Sequence, residues 1–303
     1  MNGSQRALLD WFARSGRGGL PWRERRDPYF TVVSEFMLQQ TQVDRVVPAF
    51  GAFVAAFPDF ASLARASVAD VLRAWKGLGY NSRAVRLHAL AVAVAARADG
   101  AMPREREALL ALPGVGPYTA SAVRAFAYDE DDAACDVNVR RVVHRLFFGM
   151  EYPPRAGARE LDARALALVP PGRAHDWNSA MMDLGATICT ARAPKCGVCP
   201  LSDACVAAPI DAAALEAARK ANAKPPSPQA ALRFEATARY ARGRIVDALR
   251  ALPPHRAISF LDLQRELAPA LPGRDVAEVR ALIDALERDG LVESVEDGLR
   301  LKA

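Results

Sequence analysis

The chain has 303 residues, 51% of them apolar and 25% charged, with a formal net charge of +5. That is the make-up of an ordinary globular protein with room for two or three modest domains, and it excludes a disordered or low-complexity chain. No apolar run reaches the ~20 residues that a spanning helix needs, so no membrane partner is expected, and the positive charge is compatible with a polyanionic partner without establishing one.

The N-terminus, Met1 to Arg6, leads into an amphipathic segment with Asp10 and Arg14, unlike a signal peptide. The run from Thr31 to Val43 then reads as one helix. Val32, Val33, Phe36 and Val43 fall on one face, while Glu35, Gln39 and Gln42 share the other. A carboxylate among amides is unusual on a solvated face, where Lys and Arg are expected.

Apolar residues recur at three- and four-residue steps in Val46–Phe57, Val68–Trp75, Ser82–Ala96, Arg104–Leu112 and Val137–Phe148, which predicts helices. Between two of them lies Leu112-Pro113-Gly114-Val115-Gly116-Pro117-Tyr118. Gly114 and Gly116 permit a close backbone approach, and Pro117 suits the first turn of a following helix. Free N–H groups at that helix start can meet a phosphate without reading sequence, so the segment predicts a helix–hairpin–helix. Asp136 stands just before the Val137–Phe148 helix, as an N-cap would, and still offers a carboxylate.

Cys189, Cys196, Cys199 and Cys205 are separated by six, two and five residues, which puts four thiolates in one short loop. Such a set suits one metal centre, zinc or iron–sulfur by spacing alone, and a reducing cytoplasmic location. Cys135, outside the loop, reads as a buried core thiol. Past the loop, Ala221 to Pro228 reads as a linker. A small module follows: helices at Arg239–Leu252 and Asp275–Arg288, a short strand leading into a helix at Ile258–Leu267, and a hairpin of Leu291–Ser294 with Leu299–Lys302. Three helices and a terminal hairpin are similar to a winged helix. Such modules bind DNA or protein, and packing alone is an equal reading.

Taken in order, Leu20-Pro21-Trp22-Arg23, Ser34 to Val43, Gly77-Leu78-Gly79-Tyr80, the hairpin glycines, Asp136-x-Asn138-Val139, Met181 to Ala186 and the cysteine loop form a specific set. Over residues 5–206 the chain resembles the MutY-type adenine DNA glycosylases of the helix–hairpin–helix, endonuclease III superfamily. The resemblance implies an all-α, two-lobed fold: a cluster lobe of 1–23 and 134–206, a six-helix barrel of 24–133, then a linker of 207–230 and the winged-helix-like module of 231–303. It implies a [4Fe–4S] cluster on the four cysteines, and as partner double-stranded DNA with a mismatched or damaged base pair. It further implies a monomer in the cytoplasm, associated with the nucleoid.

The resemblance also assigns roles. Glu35 matches the general acid that protonates adenine N7, and Asp136 the carboxylate that stabilises an oxocarbenium-like sugar, a division of labour also seen in glycosidases. Asn138 would orient the carboxylates. Tyr118 stands where bifunctional relatives carry a Schiff-base lysine, so strand-cleaving activity should be absent or weak. Trp22, Arg23 and Leu38 match positions near the base pocket, Gln40 a residue that wedges into the stack, and Gly114, Val115 and Gly116 the phosphate grip; Gln39 is a further candidate for substrate or DNA binding. Arg192 and Lys195 are candidate phosphate contacts. The chain departs from the pattern in lacking a Nudix-like C-terminal domain, in Asn81 where many relatives have a second tyrosine, and in Ser179 where a longer Glu or Gln is common near the adenine site. The first two departures bear on the partner base, and a thymine or uracil glycosylase acting on G·T or G·U mismatches is the alternative.

Overall fold

A computed structural model describes residues 1–223, 225 and 233–303. Fifteen helices and one hairpin are assigned among them, in the order α1 (Gly3–Ser15), α2 (Pro28–Leu38), α3 (Val43–Ala56), α4 (Phe60–Arg65), α5 (Val68–Ala74), α6 (Ser82–Ala95), α7 (Arg106–Leu110), α8 (Pro117–Ala122), α9 (Val137–Phe148), α10 (Ala158–Ala167), α11 (Ala174–Thr187), α12 (Ala212–Ala221), α13 (Ala238–Ala251), α14 (Phe260–Leu267), α15 (Val276–Arg288), β1 (Val292–Val295) and β2 (Gly298–Leu301). The chain divides into two compact units: 1–32, 102–111 and 115–225 in the first, 33–101, 112–114 and 226–303 in the second.

In the first unit α11 packs against α1 and α9, and α10 against α9. Val139, Val142, Val143 and Leu146 recur along α9 at helical spacing and are buried with Leu8, Leu9, Trp177 and Leu184. The helix starts are fixed locally. Asn2 and Gln5 form a reciprocal capping box on α1, and Asp136 caps α9.

In the second unit α4 and α5 pack on α6, and α3 on α5. The C-terminal module matches its sequence reading closely: α13 gathers α14, α15 and β2, and β1 pairs antiparallel with β2 in the register Val292 to Leu301. Ile258 adds a bridge to Leu299, the short strand expected before α14. The module also packs on the rest of its unit, with α13 and β2 against α5 and the Ala69 amide donating to the Lys302 carbonyl at 2.8 Å.

Three expectations differ from what the structure holds. The compact units do not follow the lobe boundaries read from the sequence, because 102–111 and 115–133 group with the cysteine loop and the C-terminal module groups with 33–101. The segment 207–230 is not linker throughout, since Asp211 caps α12 over Ala212–Ala221; residues 224 and 226–230 of that expected linker lie outside the described residues. Nor does one helix run from Thr31 to Val43. It ends at Leu38, Gln40 takes a left-handed φ of 57°, and Gln42 caps α3. The cause is distant in sequence. The buried Arg83 guanidinium donates to the carbonyls of Phe36 at 2.7 Å, Met37 at 2.9 Å and Gln39 at 2.6 Å, taking up the carbonyls that a helix end leaves open.

Candidate active site

Glu35 lies on α2 among side chains that are nearly all inside: Val32 and Val33 are 0% exposed, Phe36 1%, and Glu35 itself 9%. Of the polar residues read on one face, Glu35 is buried while Gln39 and Gln42 are exposed, so the carboxylate is no part of a solvated surface. A carboxyl is costly to bury unless its surroundings use it. One turn beyond, Leu38 is half-buried and Gln39 and Gln40 are exposed. Arg83 fixes where this turn begins, and burial pushes its own guanidinium down to about 10. Its other nitrogen donates to the carbonyls of Leu78 and Gly79, each at 3.0 Å, so one side chain joins the α2 end to the Gly77–Tyr80 turn. Gly114 approaches the same helix: a Cβ there would stand 3.0 Å from Phe36 Cζ, and φ is +75°. Val115 is buried, and Gly116 caps α8 with Pro117 in its first turn, as the hairpin reading expected.

Asp136 is presented by the start of α9. Its Oδ1 accepts from the backbone N–H of Asn138 at 2.9 Å and of Val139 at 2.7 Å, and its Oδ2 accepts from Asn138 Nδ2 at 2.8 Å. Three donors therefore fix the orientation of this carboxylate at the helix start. The chain of contacts continues: Asn138 Oδ1 accepts from Arg141 Nη2 at 3.0 Å, and Arg141 donates to the carbonyls of Cys189 at 2.9 Å and Gly185 at 2.6 Å. Gly185 is required there, because a Cβ would come within 2.8 Å of Asn138 Cβ.

The four loop cysteines line one pocket together with Arg145. Arg145 is fully buried, donates through Nη1 to Cys189 Sγ at 3.4 Å, and makes a paired contact of 2.7 Å on each arm with Glu151. Burial opposes the charge on Arg145, and its hydrogen bonds to Glu151 and Cys189 outweigh that. Burial also pushes the Cys199 thiol up to about 11 and Cys205 upward. Among the described residues no three such side chains converge on a place for a single ion. A soft four-sulfur donor set with a buried cation against one sulfur fits an anionic iron–sulfur cluster. Arg192 and Lys195 stand exposed on this loop.

A cavity of about 630 Å³ in the first unit is lined by Tyr118, Arg106, Asp132, Cys135, Arg140 and Asp162 among others. Tyr118 thus faces a concave site. Cys135 is buried, and burial followed by the nearby Asp162 pushes its thiol up to about 12, as an inert core thiol requires.

Two expected contacts sit differently. Arg23 is committed to the buried Asp183, at 2.9 and 3.1 Å, and Arg17 joins the same carboxylate at 2.7 Å. Burial works to raise the Asp183 carboxyl, and these two arginines more than offset it and hold it below the usual range. Ser179 is 0% exposed, and its hydroxyl has no hydrogen-bond partner among the described residues. Trp22 is half-buried, and Asn81 accepts from Arg250 at 3.0 Å. Arg83, Arg141 and Arg145 were missed from sequence. Asn138, Arg141 and Arg145 share a spacing of three and four on an apolar helix, which is the signal that was available. Nothing comparable marks Arg83.

Residues 33–167 match the model of the HhH-GPD superfamily base excision DNA repair proteins, and residues 189–205 match that of the iron–sulfur binding domain of endonuclease III. The adenine DNA glycosylase of Mycolicibacterium smegmatis is 42% identical over 292 residues, covering 96% of this chain and 93% of the relative. That of Mycobacterium tuberculosis is 40% identical over 296 residues, covering 96% and 90%. Among solved structures, a thermostable thymine-DNA glycosylase superposes with a TM-score of 0.61 at 34% identity, covering 67% of this chain and 93% of that one.

Proposed function

Because the chain belongs to the adenine DNA glycosylase family of HhH-GPD base excision repair proteins, we propose that it takes adenine mispaired with 8-oxoguanine or guanine out of duplex DNA and hydrolyses its N-glycosidic bond. The observation that carries this reading is Glu35, a carboxyl 9% exposed on a helix otherwise committed to the interior.

The base must leave the stack before any side chain reaches it. Glu35 delivers a proton to adenine N7, so that the electron pair of the breaking N9–C1′ bond is drawn into a neutral leaving group. Asp136, oriented by its three donors, stabilises the positive charge that develops on the sugar until water adds to C1′ and its proton passes to the Glu35 carboxylate left by the first transfer. Asn138 fixes the aim of that carboxylate. Tyr118 cannot form the imine that a lysine would, so the product is an abasic site in an intact strand. The cofactor is a [4Fe–4S] cluster, and we assign its ligands to Cys189, Cys196, Cys199 and Cys205; bound there it would cross-link the loop that Arg141 and Arg145 hold against α9. The helix–hairpin–helix glycines, Gln39, Gln40, Arg192 and Lys195 contact DNA. No helix is long and apolar enough to cross a membrane among the described residues, and the protein acts as a monomer in the cytoplasm.

The second reading, excision of thymine or uracil opposite guanine, has one observation in its favour, the 34% identity with a thymine-DNA glycosylase. Single-turnover cleavage of duplexes with A opposite 8-oxoguanine, A opposite G, T opposite G and U opposite G separates the two. Release from the adenine duplexes alone, with strand breaks only after alkali, is the expected result. Release from the T or U duplexes alone overturns the substrate assignment.

A further inference from the structure

Two sharp turns of the second unit meet on one buried side chain. The first follows α2, where Gln40 has a φ of 57°, and the second is Gly77 to Tyr80, where Gly77, Gly79 and Tyr80 have φ of 87°, 68° and 46°. A non-glycine residue keeps a left-handed backbone only where its surroundings enforce it, and such positions gather at functional sites. The enforcing group here is Arg83, near the start of α6. Its Nη1 serves the first turn through the Phe36, Met37 and Gln39 carbonyls. Its Nη2 serves the second through the Leu78 and Gly79 carbonyls and also donates to Thr41 Oγ1 at 3.1 Å. Thr41 donates in turn to the Leu78 carbonyl at 3.4 Å, so the two turns are joined directly as well.

The donors of Arg83 are oversubscribed. Its two Nη atoms carry four hydrogens for six acceptors, while the buried Nε has no partner among the described residues. A displacement of either turn therefore redistributes the same hydrogens over the other. The guanidinium is also packed against two rings, with its carbon 5.4 Å from the Trp75 ring centre and 5.5 Å from that of Tyr80. Trp75 is 0% exposed and Tyr80 37%, so one ring is fixed in the interior and the other is open to a ligand. What presses on the Tyr80 ring is felt by Arg83. The other arm of Arg83 holds the carbonyl of Phe36, the residue next to Glu35. Small misplacements of a reacting group are costly in rate, so that arm is well placed to govern the acid.

We propose that Arg83 is a positioning residue that sets the aim of Glu35 according to what occupies the Tyr80 turn, and so makes the rate of adenine release depend on the base opposite. Arg83 touches no reacting atom, and proton transfer stays with Glu35. The proposal deepens the reading given above and rests on it, with adenine as the excised base and the Gln40 and Tyr80 turns at the DNA.

The test is single-turnover cleavage by the full chain, at saturating enzyme, of duplexes with A opposite 8-oxoguanine and A opposite G, read as the ratio of the two rates. Arg83→Lys keeps the charge but cannot serve both turns or stack as a plane. It should slow release opposite 8-oxoguanine on the order of tenfold and release opposite G far less, so that the ratio falls. A purely structural role would slow both duplexes alike, and an unchanged ratio overturns the proposal. So does a parent that releases adenine equally fast from both. Tyr80→Leu should lower the ratio by a similar factor, and the double variant should fall no further than either single one, because both interrupt one path. Additive losses overturn the coupling. Should Arg83→Lys fail to fold, Thr41→Val decides: it keeps Arg83 and removes one acceptor and the direct link between the turns, and should lower the ratio about threefold. An unchanged ratio there overturns the proposal in turn. If the parent releases thymine and no adenine, the substrate reading fails, and the coupling is read in the same variants as the ratio between T opposite G and T opposite A. If adenine is released as expected and the ratio in Arg83→Lys equals the parent's, the substrate reading stands and the coupling fails.

Discussion

Asp136 stands immediately before its helix and Glu35 three residues before the end of its own, and the two carboxylates are held by different means. Asp136 takes its donors from Asn138 and Val139, in the first turn of the helix it caps, so its geometry is set by the sequence right beside it. Glu35 depends on where α2 stops, and that is decided by Arg83, more than forty positions along the chain. A helix start can be organised locally by one capping side chain. A helix end buried without a glycine needs something brought from elsewhere to meet its carbonyls. The first arrangement resists distant change, and the second transmits it.

The comparison can be broken most directly at the carboxylates. Glu35→Gln and Asp136→Asn should each lower the single-turnover rate of adenine release by about 10²- to 10⁴-fold while leaving duplex binding nearly intact. Activity of Glu35→Gln near that of the parent would end the general-acid assignment. Next in size is Arg83→Ala, which takes the donor from five backbone carbonyls and should cost on the order of 3 kcal/mol in thermal or denaturant unfolding. It should also lower the rate, because the turn after Glu35 loses its anchor. Arg83→Lys should recover only part of either loss, since an ammonium cannot span the Phe36, Gln39 and Gly79 carbonyls together. A variant with Arg83→Ala that unfolds like the parent would show that α2 ends for another reason.

Asp183 gives an effect of similar kind in the first unit. Its folded carboxyl lies below the ordinary 3.8, so its contribution is fully present above that value and is lost as pH falls through the folded one. Asp183→Asn leaves Arg17 and Arg23 without their buried partner and should destabilise by about 3 kcal/mol at neutral pH. The difference between variant and parent should shrink in acid melting curves below pH 4. A difference independent of pH would show that the carboxylate's charge is not what matters. The smallest effect is expected at Gly185. Gly185→Ala puts a methyl within 2.8 Å of Asn138 Cβ, which should cost about 1–3 kcal/mol. It should also lower the rate without weakening DNA affinity, because Asn138 shifts away from Asp136. Equal losses in rate and affinity would mean the helix moved as a body.

Much of this was present in the sequence because the responsible interactions are short-range. Asp136 was legible as a cap, the spacing of the four cysteines as a metal loop, and the module from α13 to β2 as three helices and a hairpin, since caps, turns and apolar periodicity act within a few residues of one another. The break after Leu38 was not legible, because Thr31 to Val43 carries a continuous helical pattern and only Arg83 interrupts it. The sequence marked the carboxylate among amides as unusual for a solvated face, and Glu35 is indeed buried, but periodicity by itself says nothing of what covers each side of a helix. The partner of Arg23, Asp183, and the burial of Ser179 in α11 were likewise not legible from spacing. The sequence by itself determined the helix and hairpin order of the C-terminal module, the cap at Asp136, the cysteine set and the family to which they point. Tertiary structure alone decided where α2 ends, which arginines face carbonyls and which face solvent, and that the C-terminal module packs with residues 33–101, because each of these depends on groups that meet only after distant segments have packed.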